Sequence, residues 1–379
     1  MTDGLYIHIP FCHQICFYCD FNKVFFKNQP VDEYIDCLGE ELRMMRGEGL
    51  FDGGGPLTIF IGGGTPTALE DRQLEKLFAH IRTAVPTDRL IEFSTEANPD
   101  ELTPDKLAIL WGNGVRRLSI GVQSFDAGLL ERLGRTHSPD DAERVVRQAR
   151  DTGFENISID LMYGLPEQTM HQWETTLDRA LSFRLPHYSA YSLIVEPKTI
   201  FYNLMNKNQL PLPGEDLEAG MFNRLMERME ESGLWQYEIS NFATEGFESV
   251  HNKLYWQNRS YAGAGAGAHG YTRGIRYSNH GPLKKYMSAV SEGRRPIFEE
   301  HRVTAGEEME EEMFLGLRMT EGVRFDRFRK RFGLELKEVY GTRIRELSEK
   351  GLLASDGESV RLTQKGIFLG NEVFQEFLV

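Results

Sequence analysis

Cysteine is scarce in this chain, with 4 among 379 residues. That is too few for a disulfide framework and suits a reducing compartment. Long apolar runs are missing too. None approaches the roughly 18 residues of a membrane-spanning helix. The start, Met1-Thr2-Asp3-Gly4, has no basic segment and leads straight into a strand pattern, so no signal peptide is expected. Positive charge is in deficit. Lys and Arg total 43 against 57 Asp and Glu, a formal charge of −14. Such a balance argues against broad nucleic-acid binding. The expected location is therefore cytoplasmic. No internal repeat or low-complexity tract breaks the chain.

What cysteine there is lies together. Cys12, Cys16 and Cys19 occupy one short loop after the apolar run Leu5-Tyr6-Ile7-His8-Ile9-Pro10. Three thiolates on such a loop converge easily on one metal centre. A closed zinc site or an ordinary electron-transfer cluster wants four ligands. The remaining Cys37 sits in a helical pattern with Tyr34, Ile35, Leu38 and Leu42 and reads as a small buried residue. A cubic iron–sulfur cluster held by three cysteines keeps one iron open. The plain alternative, three unrelated loop cysteines, is disfavoured by such clustering in a cysteine-poor chain.

Short β-rich runs alternate with helical patterns over the first two thirds. Strands are expected at 5–9, 57–61, 90–95, 117–122, 156–161 and 187–193. Helices are expected between them, one opening at Thr103-Pro104 and one running from Ser138-Pro139 to Gly153. Repeated units of this kind imply an α/β fold with a parallel sheet. Six units suggest an incomplete (βα)6 barrel of the TIM type, whose sites gather at the carboxyl ends of the strands. Those ends carry the cysteine loop, Gly62-Gly63-Gly64-Thr65-Pro66, Glu96, Gln123 and Asp160. From about residue 304 the pattern changes to charged helices with a short β element near 358–362, resembling a winged-helix-like α+β domain. The division expected is 1–235 for the barrel, 236–300 for a connecting segment, irregular from about 240 to 282, and 301–379 for the C-terminal domain.

The spacing C-x3-C-x2-C with its aromatic-rich loop resembles the radical S-adenosylmethionine (SAM) enzymes. The resemblance implies a 4Fe–4S cluster on Cys12, Cys16 and Cys19, with SAM chelated by the open iron. It also assigns the glycine turn to SAM, through Gly63, Gly64 and Thr65. A tight strand-to-helix turn is the structural alternative. Glu96 at a strand end can accept from a ribose hydroxyl, with Gln123 and Asp160 in equivalent places; helix caps or barrel salt bridges are the alternatives. Arg135 can neutralise a carboxylate of SAM or substrate, or form a surface ion pair. Tyr6 and Tyr18 flank the cluster and can pack on adenine, or simply fill core. His8 and His13 are assigned no ligand role.

Further motifs narrow the resemblance. Tyr-Ile-His-Ile-Pro-Phe-Cys, Gly-Gly-Gly-Thr-Pro, Glu-Ala-Asn-Pro, Ile-Gly-Val-Gln-Ser-Phe, Leu-Gly-Arg-x-His and Asp-Leu-Met-Tyr-Gly-Leu-Pro match the coproporphyrinogen dehydrogenase-like branch over almost the whole chain. Two departures separate it from the dehydrogenase itself. Phe21 stands where that enzyme has a fourth cysteine, and the first strand begins without a preceding arm. His251-Asn252-Lys253-Leu254-Tyr255-Trp256 resembles the HNxxYW signature of the HemW-type heme chaperones. An exposed imidazole at His251 is a good axial ligand for heme iron, and Tyr255 and Trp256 can pack on the macrocycle. A turn-capping histidine with interface aromatics is the alternative. The segment 262–270, ending in Ala268-His269-Gly270, looks like the GxGAHG segment of the same proteins.

The resemblance thus implies a heme chaperone that delivers heme to recipient proteins such as respiratory enzymes. The alternatives are a radical SAM tetrapyrrole enzyme, decarboxylating coproporphyrinogen or opening heme, and an electron carrier. Peripheral membrane contact and a homodimer stay open. The basic run 324–331 suits an anionic surface, but reads first as a helix with core aromatics and solvated charges.

Overall fold

A computed structural model describes residues 2–378. Its spine is a sheet of 12 strands. The six expected parallel strands are Gly4–Ile9, Leu57–Gly63, Leu90–Ala97, Arg117–Gln123, Asn156–Tyr163 and His187–Ser192. They pair side by side in chain order. Parallel neighbours need a crossover, supplied here by helices such as Val31–Gly47, Asp71–Ala84 and Pro139–Thr152. The last shows why these segments are helical. Ser138 accepts from the Asp141 N–H at 3.2 Å, Pro139 opens the first turn, and Gly153 closes it in the left-handed region at φ +114°.

The first strand is the centre of the layering. Leu5, Ile7 and Ile9 are wholly buried in the core beneath the helices. Tyr6 and His8 alternate with them, so they project from the opposite face, into the barrel.

The segment expected to be an irregular connection is ordered, and it builds both edges of the sheet. Tyr261–Ala264 pairs parallel with the first strand. His269–Thr272, Ile275–Asn279 and Ile297–Arg302 continue antiparallel beyond it. At the other edge Asn241–Ala243 pairs with His187–Ser192, and Trp235–Glu238 follows. The strand in the glycine–alanine run needs glycine where neighbouring backbone comes too close for a side chain. A Cβ on Gly263 would lie 2.0 Å from the His269 carbonyl oxygen. Buried Glu41 anchors the run, accepting from the Gly265 N–H at 2.8 Å, Asn279 Nδ2 at 2.7 Å and the Tyr286 hydroxyl at 2.7 Å.

The C-terminal domain is winged-helix-like. Helices Ala305–Gly316, Phe325–Phe332 and Leu336–Glu349 pack on a 3-stranded sheet of 323–324, 359–362 and 353–355. Its core is its own, with Phe328, Val360 and Phe377 fully buried. The arginines of the basic run are matched by carboxylates, Arg324 by Asp326 at 3.0 Å. Arg331 pairs with Glu308 at 2.6 Å and Glu312 at 2.7 Å, Arg327 with Glu312 at 3.2 Å, and Arg329 with Glu335 at 3.2 Å. It is a packing helix rather than an uncompensated cationic face.

Phe328→Ala should remove the central side chain of this smaller core. The expected cost is about 3–5 kcal/mol, read as a lower urea midpoint by circular dichroism. An unchanged midpoint would mean that this core carries little of the fold.

Candidate functional site

A cavity of about 300 Å³ opens at the carboxyl ends of the parallel strands. Cys12, Cys16 and Cys19 border it, with Tyr18 beside them. Gly63, Gly64 and Thr65 from the second strand's turn border it too, as do Glu96, Gln123, Arg135 and Asp160. Eleven of the twelve residues expected at a cluster and SAM site therefore meet in one place. The twelfth, Tyr6, does not. Its ring stacks on Phe60, and its hydroxyl meets His8 Nδ1 at 3.0 Å, facing a second cavity. Tyr6 lies three residues before the strand end at Ile9, and it shares with His8 the strand face that borders this second cavity. Cys37 packs against the core on its helix. His13 is exposed and bonds Glu101 at 3.3 Å.

The backbone explains why the turn is glycine. Gly63 has φ +116°, and a Cβ on Gly64 would lie 2.9 Å from Cys12 Sγ. The Gly63 N–H donates to Glu96 Oε2 at 3.0 Å. Gln123 ends its strand at φ +65°, a strained setting for a side chain other than glycine. Arg135 Nη1 donates to Cys16 Sγ at 3.4 Å, and Nη2 to Asn98 Oδ1 at 2.8 Å. Thr65 Oγ1 lies 3.6 Å from Cys12 Sγ. Ser119 Oγ donates to Asp160 at 3.0 Å.

Burial dominates the electrostatics. It pushes the Cys12 thiol up to about 12, with the hydroxyl of Thr65 opposing and the other cysteines adding. It also raises Cys19, against the nearby Lys23. Burial lowers Arg135, but Tyr18 and Cys16 outweigh it and hold the guanidinium above its usual value. Burial first, then the charge of Asp160, lift Glu96 to about 8. Among the described residues no three donors close into a single-ion cage. Three thiols spread around a cavity suit a cluster better, since each thiolate there meets a different iron. Beside them, the carboxyls, the guanidinium and the close-set backbone of the glycine turn fit a zwitterionic ligand with hydroxyl groups.

The second cavity, about 680 Å³, is bordered by Tyr6, Tyr255, Trp256, Tyr261 and His269, and it shares Phe21 with the first. Helix Val250–Trp256 delivers the aromatic pair. Glu92 fixes that helix by accepting from the N–H groups of Val250 and His251, each at 2.9 Å. The expectation of an exposed imidazole at His251 is corrected. The ring is fully buried. Its Nδ1 meets Thr58 Oγ1 at 2.7 Å and its Nε2 meets the Tyr255 hydroxyl at 2.8 Å. Burial holds it neutral, lowering it to about 3. It orients Tyr255, and neither nitrogen is presented to a ligand.

Comparison with known proteins gives the family. Residues 6–180 match the family model for the radical SAM superfamily, and 303–369 that for the HemN C-terminal domain. The chain is 51% identical over 376 residues to the heme chaperone HemW of Bacillus subtilis (strain 168), covering 98% of each. This chain belongs to the HemW family of radical SAM proteins. It is 43% identical to the heme chaperone HemW of Lactococcus lactis subsp. lactis, covering 100% of this chain and 97% of that protein. Its fold matches a solved structure described as "Coproporphyrinogen III oxidase (HemN) from Escherichia coli is a Radical SAM enzyme", with a TM-score of 0.85 and 24% identity, over 99% of this chain and 90% of that one.

In this HemW-family chain Ser119, which no motif above contains, also borders the first cavity, with Asn98 and Gly121 from those motifs and Tyr191 from the sixth strand end. Strand alternation held the signal, since Ser119, Gly121 and Gln123 share one face at a spacing of two.

A carboxyl held protonated in the fold but ionised in the unfolded chain favours unfolding as pH rises. With Glu96 lifted from 4.5 to about 8, ligand-free stability should fall across that window. The expected loss is on the order of a few kcal/mol, and Glu96→Gln should flatten it. Thermal melts at several pH values measure this; equal slopes for both proteins would reject it.

Proposed function

We propose that this chain is a heme chaperone, binding heme and passing it to recipient proteins such as respiratory enzymes. The observation that carries the reading is the aromatic cavity of Tyr255 and Trp256 lying against the three-cysteine cavity, with Phe21 between them. The names of the Bacillus and Lactococcus relatives support it. In this reading Cys12, Cys16 and Cys19 hold a 4Fe–4S cluster. Gly63, Gly64, Thr65, Glu96, Gln123, Arg135 and Asp160, with Tyr18, hold SAM. The bound cluster supplies a single electron to SAM when reduced. The chain's own residues bind and orient the pair. Arg135 braces Cys16 and bears a charge that complements the SAM carboxylate, while Glu96 receives its hydroxyls. A reducing cytoplasm fits the free thiols.

The strand-end carboxyls, Arg135 and glycine turn beside the three cysteines favour a second reading, an enzyme acting on a tetrapyrrole. The two are separated by assay. Under the chaperone reading, purified protein gives a saturable Soret band on anaerobic heme titration and transfers heme to an apo-acceptor. It forms no protoporphyrinogen from coproporphyrinogen with SAM and reductant. Product formation without heme transfer would reverse the assignment. For the cluster, Cys12→Ala, Cys16→Ala or Cys19→Ala should each abolish the anaerobic iron–sulfur absorbance near 400 nm. Cys37→Ala should keep it, and retention in any of the first three variants would count against the site.

A further inference from the structure

Resting on the heme reading above, we infer that the heme seat is the 680 Å³ cavity and that His269 supplies the axial ligand to iron. Histidine is the candidate because a neutral imidazole nitrogen is a standard ligand for heme iron. Two histidines border the cavity and a third stands behind it. His251, behind the wall, has both nitrogens engaged with Thr58 and Tyr255. His8 is equally committed, Nδ1 to the Tyr6 hydroxyl at 3.0 Å and Nε2 to the Asn22 carbonyl at 2.7 Å. His269 differs. It is exposed, it borders the cavity, and among the described residues its ring has no hydrogen-bond partner.

Its backbone is held firmly although its ring is free. His269 opens the strand His269–Thr272 opposite Ser278. Its peptide packs on Gly263, where any Cβ would clash with it. A ligand on such a rigid mount pays little ordering entropy on coordination.

The walls suit a flat macrocycle. Tyr255 and Tyr261 meet edge to face at 4.6 Å between centroids, and Trp256 adds a third ring. Phe314 and Leu315 contribute apolar surface from the C-terminal domain. The indole N–H of Trp256 is buried without an acceptor. Arg259 and Arg276 stand at the border as counterparts for two carboxylates. Both are now neutralised by acids, Arg259 by Asp3 at 3.1 Å and Arg276 by Glu311 at 2.5 Å. Porphyrin carboxylates would therefore share or exchange those partners. Weak charge complementarity of this kind suits a cargo that must leave again. In this arrangement His251 is a positioning residue that sets Tyr255.

The test is anaerobic titration of ferric heme into the full-length protein and three variants. His269→Ala should weaken binding about tenfold or more and move the Soret maximum, with added imidazole restoring the wild-type position. His269→Tyr should bring a phenolate-to-iron charge-transfer band. His251→Ala should weaken binding while keeping the wild-type Soret position and ligand-field signals. Wild-type affinity and Soret position in His269→Ala, or no new band in His269→Tyr, would overturn the assignment. If the unmodified protein itself binds no heme saturably, the heme reading fails as a whole, a result distinct from failure at His269.

Discussion

The pairing of the first strand on both its edges is the constraint on which both cavities depend. Gly4–Ile9 bonds Leu57–Gly63 on one side and Tyr261–Ala264 on the other, all parallel. Its end launches the cysteine loop, and its inward residues Tyr6 and His8 face the second cavity. One six-residue element thus places three thiols and an aromatic chamber within one loop's reach of each other. Just past this pairing a Cβ on Gly265 would lie 2.5 Å from the His8 carbonyl oxygen, so the chain needs glycine there. Tyr34 secures the pairing by donating to the His8 carbonyl at 2.7 Å and accepting from the Ala266 N–H at 3.0 Å.

Buried polar groups mark this architecture, and their roles differ. Glu41 and His251 are fully buried and satisfied, and both fasten elements far apart in sequence. A buried polar group with all its partners specifies one arrangement, because any other leaves it unpaired. Glu96 is of another kind. Its neighbours are a backbone N–H and the like charge of Asp160, and it lines an open cavity. A carboxyl left in that state is ready for a ligand rather than for the fold.

The relation of the two cavities gives the family fold a physical logic. Phe21 is 63% exposed and belongs to both linings. Lys23, Cys19 and Asn22 surround it on the same loop. Phe21 thus joins the cysteine loop to the wall of the aromatic chamber.

The parallel strands were legible in the sequence because apolar runs, caps and glycine stops repeat at local spacing. Ser138-Pro139 and Gly153 needed no tertiary context to delimit a helix. The cysteine loop and the polar strand ends were legible for the same reason, since barrel topology sends every strand end to one rim. What only the tertiary structure decided was long-range. Nothing local in the segment 261–302 announces that it will pair with the first strand and extend the sheet. Tyr6 turned from the cysteines because one strand position sets which cavity a side chain meets. His251 reads as an available imidazole until Thr58 and Tyr255 close on its two nitrogens. Local chemistry names the donors in a chain; burial and partners, such as Thr58 at 193 positions from His251, decide which of them remain free to act.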